Sequence, residues 1–457
     1  MSSNFSNGSF RDPSGRVFLE NGKIYRTIDY SYKDNYDQLI KSGLYAKLTS
    51  LGLLIPHREV KTPNNTVYRT IRPEHIPFVS YPYEWCFSQF KDAALTTLRI
   101  QKIALENNMS LKDASSFNIQ FFRGKPILID TLSFEKYQIG LPWIAYRQFC
   151  MHFLAPLLLM SQKNLEFNKI LSIYIDGVPL NLTSTLLPKK TYLNFSALTH
   201  IHLHSRMEKH FGGRKVASGG KSLSKKTLIA LVENLEKTIQ NIKLKNEISH
   251  WSKYYQDNSY SSKAFSHKKK IVDDLLKSLN IKTALDIGSN TGFFSRLYAK
   301  RGINTISIDN DHLSVEKNYL TCKKENIDKC LPLCVDITNP SPSIGWNNEE
   351  RLSFIDRGPF DLILALALIH HLAIGYNIPL ENIAKMFSKL GRNIIVEFVA
   401  KADLMVQRLL ANRKDIFPNY TRENFEIEFS KFFQIKKVIN ISGSIRSMYL
   451  FKNRIDI

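Results

Sequence analysis

A chain of 457 residues is longer than one ordinary core organises, so two or three domains are expected. Its 43% hydrophobic, 11% aromatic and 23% charged residues exclude an intrinsically disordered chain and fit a packed globular one. Lys and Arg outnumber Asp and Glu by 63 to 41, a formal charge of +22 that attracts polyanions; because the charges are scattered, a solvated basic surface is favoured over a nucleic-acid-binding arm.

The N-terminal run MSSNFSNGSFRDPSG is polar and holds no apolar signal core. Residues 16–20 and 23–28, joined by Asn21-Gly22, form a hairpin, since Asn-Gly accepts the positive φ of a tight turn. Apolar residues at helical spacing predict a helix over 36–53 and a second over 91–107. Residues 117–122 and 126–129, turning at Arg123-Gly124, make another hairpin. The apolar run 149–160 is about half the roughly 20 residues a membrane helix needs, so it is expected to be a buried core helix, with no membrane span.

The stretch 161–262 is expected to be a helical extension with an exposed basic loop, FGGRKVASGGKSLSKK, followed by a helix over 227–245. Within THIHLHSRMEKH, a strand would put His200, His202 and His204 on one face, with His210 beyond. No acid or cysteine completes a ligand set, so a polar segment is preferred and no metal site is assigned. The five cysteines (Cys86, Cys150, Cys322, Cys330, Cys334) are odd in number and form no CxxC pair, which points to reduced thiols in a cytoplasmic protein.

From residue 263 onward apolar strands (283–287, 305–308, 331–335, 360–366, 393–398) alternate with helical segments. Such alternation indicates a parallel sheet covered on both faces. Strands at 434–441 and 445–451 then close the chain as a hairpin on the sheet edge. ALDIGSNTGFFS, residues 284–295, is a buried strand running through a tight loop into a helix. Gly288 permits close backbone approach of a ligand and Gly292 lets the helix begin hard against it. Asn290 stands where such loops carry another glycine, and asparagine tolerates positive φ. Asp286 offers a carboxylate to an ammonium group, Asp309 ends the second strand where an acid can hold ribose hydroxyls, and Asp336 ends the third within CVDI. FDLILALALIHHL, residues 360–372, carries the fourth strand into a loop bearing His370 and His371.

This series, over residues 263–453, resembles the class I S-adenosylmethionine-dependent methyltransferases. The resemblance implies a seven-stranded Rossmann-like sheet with S-adenosyl-L-methionine as cofactor, held by Asp286, Gly288, Ser289, Asn290, Gly292, Asp309, Asp336 and Leu364. A nucleotide-binding Rossmann domain is the rival. No Asn/Asp-Pro-Pro-aromatic run and no Pro-Cys nucleophile follows the fourth strand, so the implied acceptor is a small molecule with an oxygen or nitrogen nucleophile. An RNA methyltransferase using the basic surface is the alternative. His370 or His371 would take the acceptor's proton, a role that suits an imidazole because its ordinary pKa of roughly 6.5 lies near working pH; packing is the competing role for both. Glu397 and Asp403, flanking the fifth strand, and Tyr260 are weaker candidates for contacts to acceptor and cofactor, against ordinary surface packing.

In the N-terminal part, LKDASSFNIQFFRGKPILID (residues 111–130) resembles the catalytic and metal-binding segments of protein-kinase-like and aminoglycoside-phosphotransferase-like folds. That likeness implies Asp113 as hydroxyl-proton acceptor with Asn118 and Asp130 holding magnesium on phosphates. No glycine-rich phosphate loop and no strand lysine accompany them, Arg26 being the nearest basic residue on a strand. Turn-forming Asp and Asn are the plainer explanation. SLKDASSFNIQF, PWIAYRQFC and FLAPLLL make the whole resemble a bacterial family of nodulation-associated methyltransferases. The expected architecture is thus α/β: an α+β, kinase-like domain over 1–160, a helical linker over 161–262 and a methyltransferase domain over 263–457. A non-catalytic scaffold with both halves degenerate is the third alternative.

Overall fold

The computed structural model describes residues 8–61, 66–206, 223–244, 262–411 and 414–455. The chain divides into two compact units: Met1–Asn246 with Ile344–Arg351, and Glu247–Ser343 with Leu352–Ile457. Both mix helices and strands.

The first unit opens on the expected hairpin, β1 (Val17–Glu20) and β2 (Lys23–Ile28), with Asn21 and Gly22 both at positive φ. Two strands the pattern did not announce, β3 (His57–Val60) and β4 (Arg69–Pro73), complete an antiparallel sheet of order β1-β2-β4-β3. They are short and rich in charged residues, so alternation gives them no signal. The single helix expected over 36–53 is two, α1 (Lys33–Lys41) and α2 (Leu44–Ser50). Gly43, at φ +78, breaks them because a left-handed residue cannot continue a right-handed helix. The next helix, α3 (Phe87–Glu106), starts four residues before the expected position because Gln89 reaches back to the Cys86 N–H at 3.0 Å. Its buried Gln101 donates to Ser110 Oγ (3.0 Å) and accepts from the Leu111 N–H (2.7 Å). That fixes β5 (Met109–Leu111), which pairs with β8 (Phe134–Lys136), while β6 (Ile119–Phe122) and β7 (Lys125–Leu128) form the second hairpin.

The apolar run at 149–160 is helical and buried throughout, and among the described residues no helix is long and apolar enough to cross a membrane. THIHLH is not a strand: Leu198–Leu203 is a wide helical turn, so no period-two histidine face exists. His200 lies between Tyr146 Oη (2.7 Å) and Asn234 Oδ1 (2.8 Å), and His202 between Ser184 Oγ (2.7 Å) and Thr191 Oγ1 (2.9 Å). These imidazoles bridge helices, and among the described residues no group of three His, Cys, Asp or Glu is placed to hold a metal. His210 and most of the basic loop lie outside the described residues. Helix α4 (Lys225–Asn241), capped by Ser224, buries Leu228, Val232, Leu235 and Ile239 against α3.

The second unit begins with α5 (Ser262–Lys277) and β9 (Thr283–Ile287). There follow α6 (Phe293–Ala299), β10 (Asn304–Asp309), α7 (His312–Lys324), β11 (Cys330–Cys334), β12 (Phe360–Ala365), α8 (Leu380–Leu390) and β13 (Gly391–Phe398). Helices Leu404–Leu410 and Arg422–Ser430, then β14 (Phe433–Asn440) and β15 (Ser447–Asn453), complete it. The seven strands run in the order β11-β10-β9-β12-β13-β15-β14, with the first five parallel and β15 antiparallel between β13 and β14. Their apolar residues are covered on both faces, one side by α5 and α6 through Val272, Leu275, Phe294 and Tyr298. Strand order reverses beside β9, which opens a crevice at the carboxyl ends of the parallel strands.

Candidate functional site

At that edge of the second unit lies a cleft of about 180 Å³. Of the residues singled out from the sequence, Gly288, Asn290, Asp309, Asp336 and His371 line it. The loop after β9 is pinned to β10, since the Gly288 and Ser289 N–H groups both donate to the Ile308 carbonyl (2.9 and 3.0 Å). Gly288 (φ +71), Asn290 (φ +50) and Gly292 (φ +72) are left-handed, the backbone such a tight loop requires. A Cβ on Gly288 would stand 3.2 Å from Leu368 Cδ1, in the wall of the cleft, so the bare backbone keeps that space open.

Asp309 is half-buried and accepts one backbone N–H on each oxygen, from Asn290 (2.7 Å) and Asp311 (2.9 Å). Loss of surrounding water pushes its carboxyl up to about 6, so it is ionised at neutral pH. Asp336 Oδ1 accepts from the Thr338 N–H (2.8 Å) and hydroxyl (2.7 Å), and its Oδ2 accepts nothing among the described residues. Asp286 is buried behind the cleft, where the Ser295 hydroxyl donates to it at 2.5 Å and burial raises its carboxyl to about 6. The neighbouring Ser289 is also buried, and its hydroxyl has no partner among the described residues.

Three other expected residues lie away from the cleft surface. Gly292 faces Asn318, whose side chain a Cβ would overlap at 2.1–2.2 Å. Leu364 is fully buried in the core, and the cleft wall begins two residues later with Leu366, Ala367 and Leu368. His370 is buried under His371, with ring centroids 4.2 Å apart and neither of its nitrogens hydrogen-bonded among the described residues. Burial depresses both, His371 to about 4 and His370 well below the ordinary value, so both are neutral at pH 7. A neutral imidazole accepts a proton, but with its conjugate acid near 4 it is a weak base. Thr338, Leu368 and Tyr376 also line the cleft; nothing in their spacing marks them beforehand.

Glu397 and Asp403 are neither surface residues nor part of the cleft lining. Both are buried, joined by Arg446, which meets Asp403 through Nε (2.7 Å) and Nη2 (3.0 Å) and Glu397 through Nη1 (3.3 Å). Lys268 Nζ lies 2.6 Å from Glu397 Oε2. Tyr260 lies outside the described residues.

The first unit has its own cleft, about 520 Å³, and Arg26, Asp113, Asn118 and Asp130 all line it. Asp113 Oδ1 accepts from the Ser115 N–H and Gln148 Nε2, both at 2.9 Å. Arg26 spans Asp130 (2.9 Å) and Asp12 (2.6 Å). Glu350 and Arg351, from the Ile344–Arg351 segment, complete the wall; Glu350 receives Arg11 through Nε (2.8 Å) and Nη2 (2.7 Å).

No family profile matches the chain. Among solved structures it is similar to the bifunctional kinase-methyltransferase WbdD (16% identity, 46% of this chain and 44% of that one, TM-score 0.32). It is also similar to magnesium protoporphyrin IX methyltransferase (ChlM) from Synechocystis PCC 6803 (15% identity, 44% and 92% covered, TM-score 0.32). N-methyltransferase NodS from Bradyrhizobium japonicum WM9 gives 14% identity, 43% and 98% covered, and a TM-score of 0.31. The nodulation protein NoeA of Rhizobium meliloti (strain 1021) is 32% identical over 459 residues, covering 97% of this chain and 95% of that protein. A likeness of that extent runs through both units, and the chain belongs to the NoeA family.

Proposed function

We propose that the second unit is an S-adenosylmethionine-dependent methyltransferase acting on a small-molecule oxygen or nitrogen acceptor. The observation that carries this reading is the cleft beside the strand-order reversal, where a left-handed glycine loop and two strand-end carboxylates, Asp309 and Asp336, meet. The residues fit the cofactor: Gly288 leaves a cradle that a Cβ would fill, and Ser289 has an orphaned buried hydroxyl beside it. Asp309 would hold the ribose hydroxyls and Asp336 the adenine amine. Asp286, with the Gly288–Gly292 loop, would fix the amino acid end. When bound, S-adenosyl-L-methionine supplies an electrophilic methyl group on a sulfonium. The chain's part is to hold the acceptor in line and exclude water, with His371 at the cleft as the proton acceptor and His370 supporting its ring. The low basicity of His371 leaves most of the rate to positioning.

Asp286→Ala is expected to weaken S-adenosylmethionine binding by about 100-fold, since a buried charge-assisted contact is worth about 2–3 kcal/mol. Isothermal calorimetry on the folded variant measures this, and unchanged affinity would remove Asp286 from the site. An RNA acceptor predicts instead RNA binding that falls steeply with salt in gel-shift series.

The cleft of the first unit favours a second, separate reading, a nucleotide-phosphate site using Asp113, Asn118 and Asp130, because one cavity gathers all three. Mg-ATP would then raise the melting temperature, and Asp130→Asn would cancel the rise. An unmoved melting temperature at millimolar Mg-ATP counts against this reading.

A further inference from the structure

The likeness to kinase-like folds implies magnesium on Asn118 and Asp130, and the groups that meet Asp130 speak against it. Asp130 Oδ1 already accepts from the Leu132 N–H at 2.8 Å and stands 2.9 Å from Arg26 Nη1. Arg26 has little freedom to move aside. It lies on β2, the strand paired along both edges with β1 and β4, and its Nη2 donates to Asp12 Oδ2 at 2.6 Å. The side chains of Arg26 and Asp130 are only 16% and 13% exposed, so the pair is largely withdrawn from water. Separating such a pair leaves a charge without its partner, which is the costly way to lose a buried ion pair. Lys112 Nζ lies 3.8 Å from the other oxygen of Asp12. Within this chain of contacts two cations balance two carboxylates. A divalent ion on Asp130 would add its charge beside a guanidinium that stays in place, and like charges repel strongly where water is scarce. Asn118, the other expected ligand, brings no charge to offset this, and its amide donates to Ser133 Oγ at 3.4 Å. The donor set does not fit magnesium.

We propose that Arg26 is the resident cation of the first cleft: it holds the place on Asp130 that a metal would need, so the cleft takes its ligand without magnesium. Arg26 and Asp130 both line that cleft. With a nucleotide as the ligand, which rests on the phosphate-site reading of this cleft, the phosphate oxygens meet a guanidinium that Asp130 aims. Exclusion of a metal from Asp130 stands apart from that reading, because it follows from the ion pair alone.

Two titrations of the full chain test this. Divalent manganese, followed by the electron paramagnetic resonance of the free ion, is expected to give the same isotherm for the parent and for Asp130→Asn. Arg26→Met keeps an apolar stem and drops the charge. It is expected to gain a manganese site about 100-fold tighter than any in the parent, because the carboxylate has lost its competing cation. Adding Asp130→Asn to Arg26→Met is expected to remove that site. A manganese site in the parent that Asp130→Asn abolishes overturns the proposal, as does an Arg26→Met chain that gains none. Should Arg26→Met not fold, the parent and Asp130→Asn still decide between them. In the second titration ATP is expected to raise the melting temperature of the parent equally in magnesium and in EDTA. A rise that needs magnesium refutes metal-free binding. No rise in either condition removes the nucleotide reading alone, and the manganese isotherms then decide the role of Arg26.

Discussion

Gly292→Ala is expected to be the most damaging single-methyl change in the second unit, far exceeding Gly288→Ala four residues earlier. Both glycines are left-handed, so each alanine meets a backbone penalty of about 1–2 kcal/mol. The surroundings separate them. At Gly288 the new carbon meets only the tip of Leu368 at 3.2 Å, a flexible group that can give way. At Gly292 it overlaps Asn318 at 2.1–2.2 Å. Asn318 is fully buried, accepts from Arg296 Nη1 (2.8 Å) and donates to Ser307 Oγ (2.9 Å), and Ser307 in turn contacts Ser295 (2.8 Å), the partner of Asp286. Displacing it breaks buried hydrogen bonds at about 1–3 kcal/mol each in addition to the strain. Denaturant titration should therefore show a large loss for Gly292→Ala and a small one for Gly288→Ala. The milder variant should instead lose S-adenosylmethionine affinity, because its added carbon pushes on the cleft wall. Equal destabilisation by the two alanines would contradict this account.

Arg446→Leu is the second large effect, an expected loss of about 3–5 kcal/mol, the usual cost of leaving buried charge without its partner. Arg446 is among the largest fully enclosed side chains and serves two acids at once. The pH dependence has a definite sign. Burial raises Glu397 to about 7, above its ordinary value near 4.5, so the folded chain holds a proton there that the unfolded chain releases first. Stability falls as pH rises between those values. Arg446 opposes that shift, so removing it drives Glu397 higher and extends the falling limb above pH 7. The deficit of Arg446→Leu relative to the parent should be small near pH 5 and grow toward pH 8. Melting curves across that range measure it, and a deficit that shrinks with rising pH would be incompatible with the buried network.

The two halves of the chain were legible to different degrees. Strand β9 coincides with the expected 283–287, and β10 to β15 fall within about two residues of expectation, because runs buried on both faces need no alternation to be seen. Acids at strand ends mark a cleft for the same reason: an apolar run that stops on Asp stops at an edge. Behind the edge the signal fails. Asp286 and Asp309 look alike in sequence, yet only Asp309 lines the cleft. Leu364 and Leu366 differ by one strand period, and the bend after β12 decides which one lines the cleft. The Lys268–Glu397–Arg446–Asp403 network joins polar residues that each resemble a surface position, and only the fold makes them neighbours. In the first unit the split of α1 from α2 hangs on the single residue Gly43, and the charged strands β3 and β4 owe their place to pairing with β2.

The segment Ile344–Arg351 has a consequence for heredity. It belongs with the first unit yet is encoded between β11 and β12 of the second. A gene truncated after residue 246 would yield a first unit without Glu350 and Arg351, leaving Arg11 only its longer contact to Asp176, at 3.9 Å. A recombination that exchanged the C-terminal portion would replace one wall of the N-terminal cleft along with it. The first cleft therefore cannot be borrowed intact by another protein through a single join, whereas the second, lined wholly by residues from Ile287 to Tyr376, can.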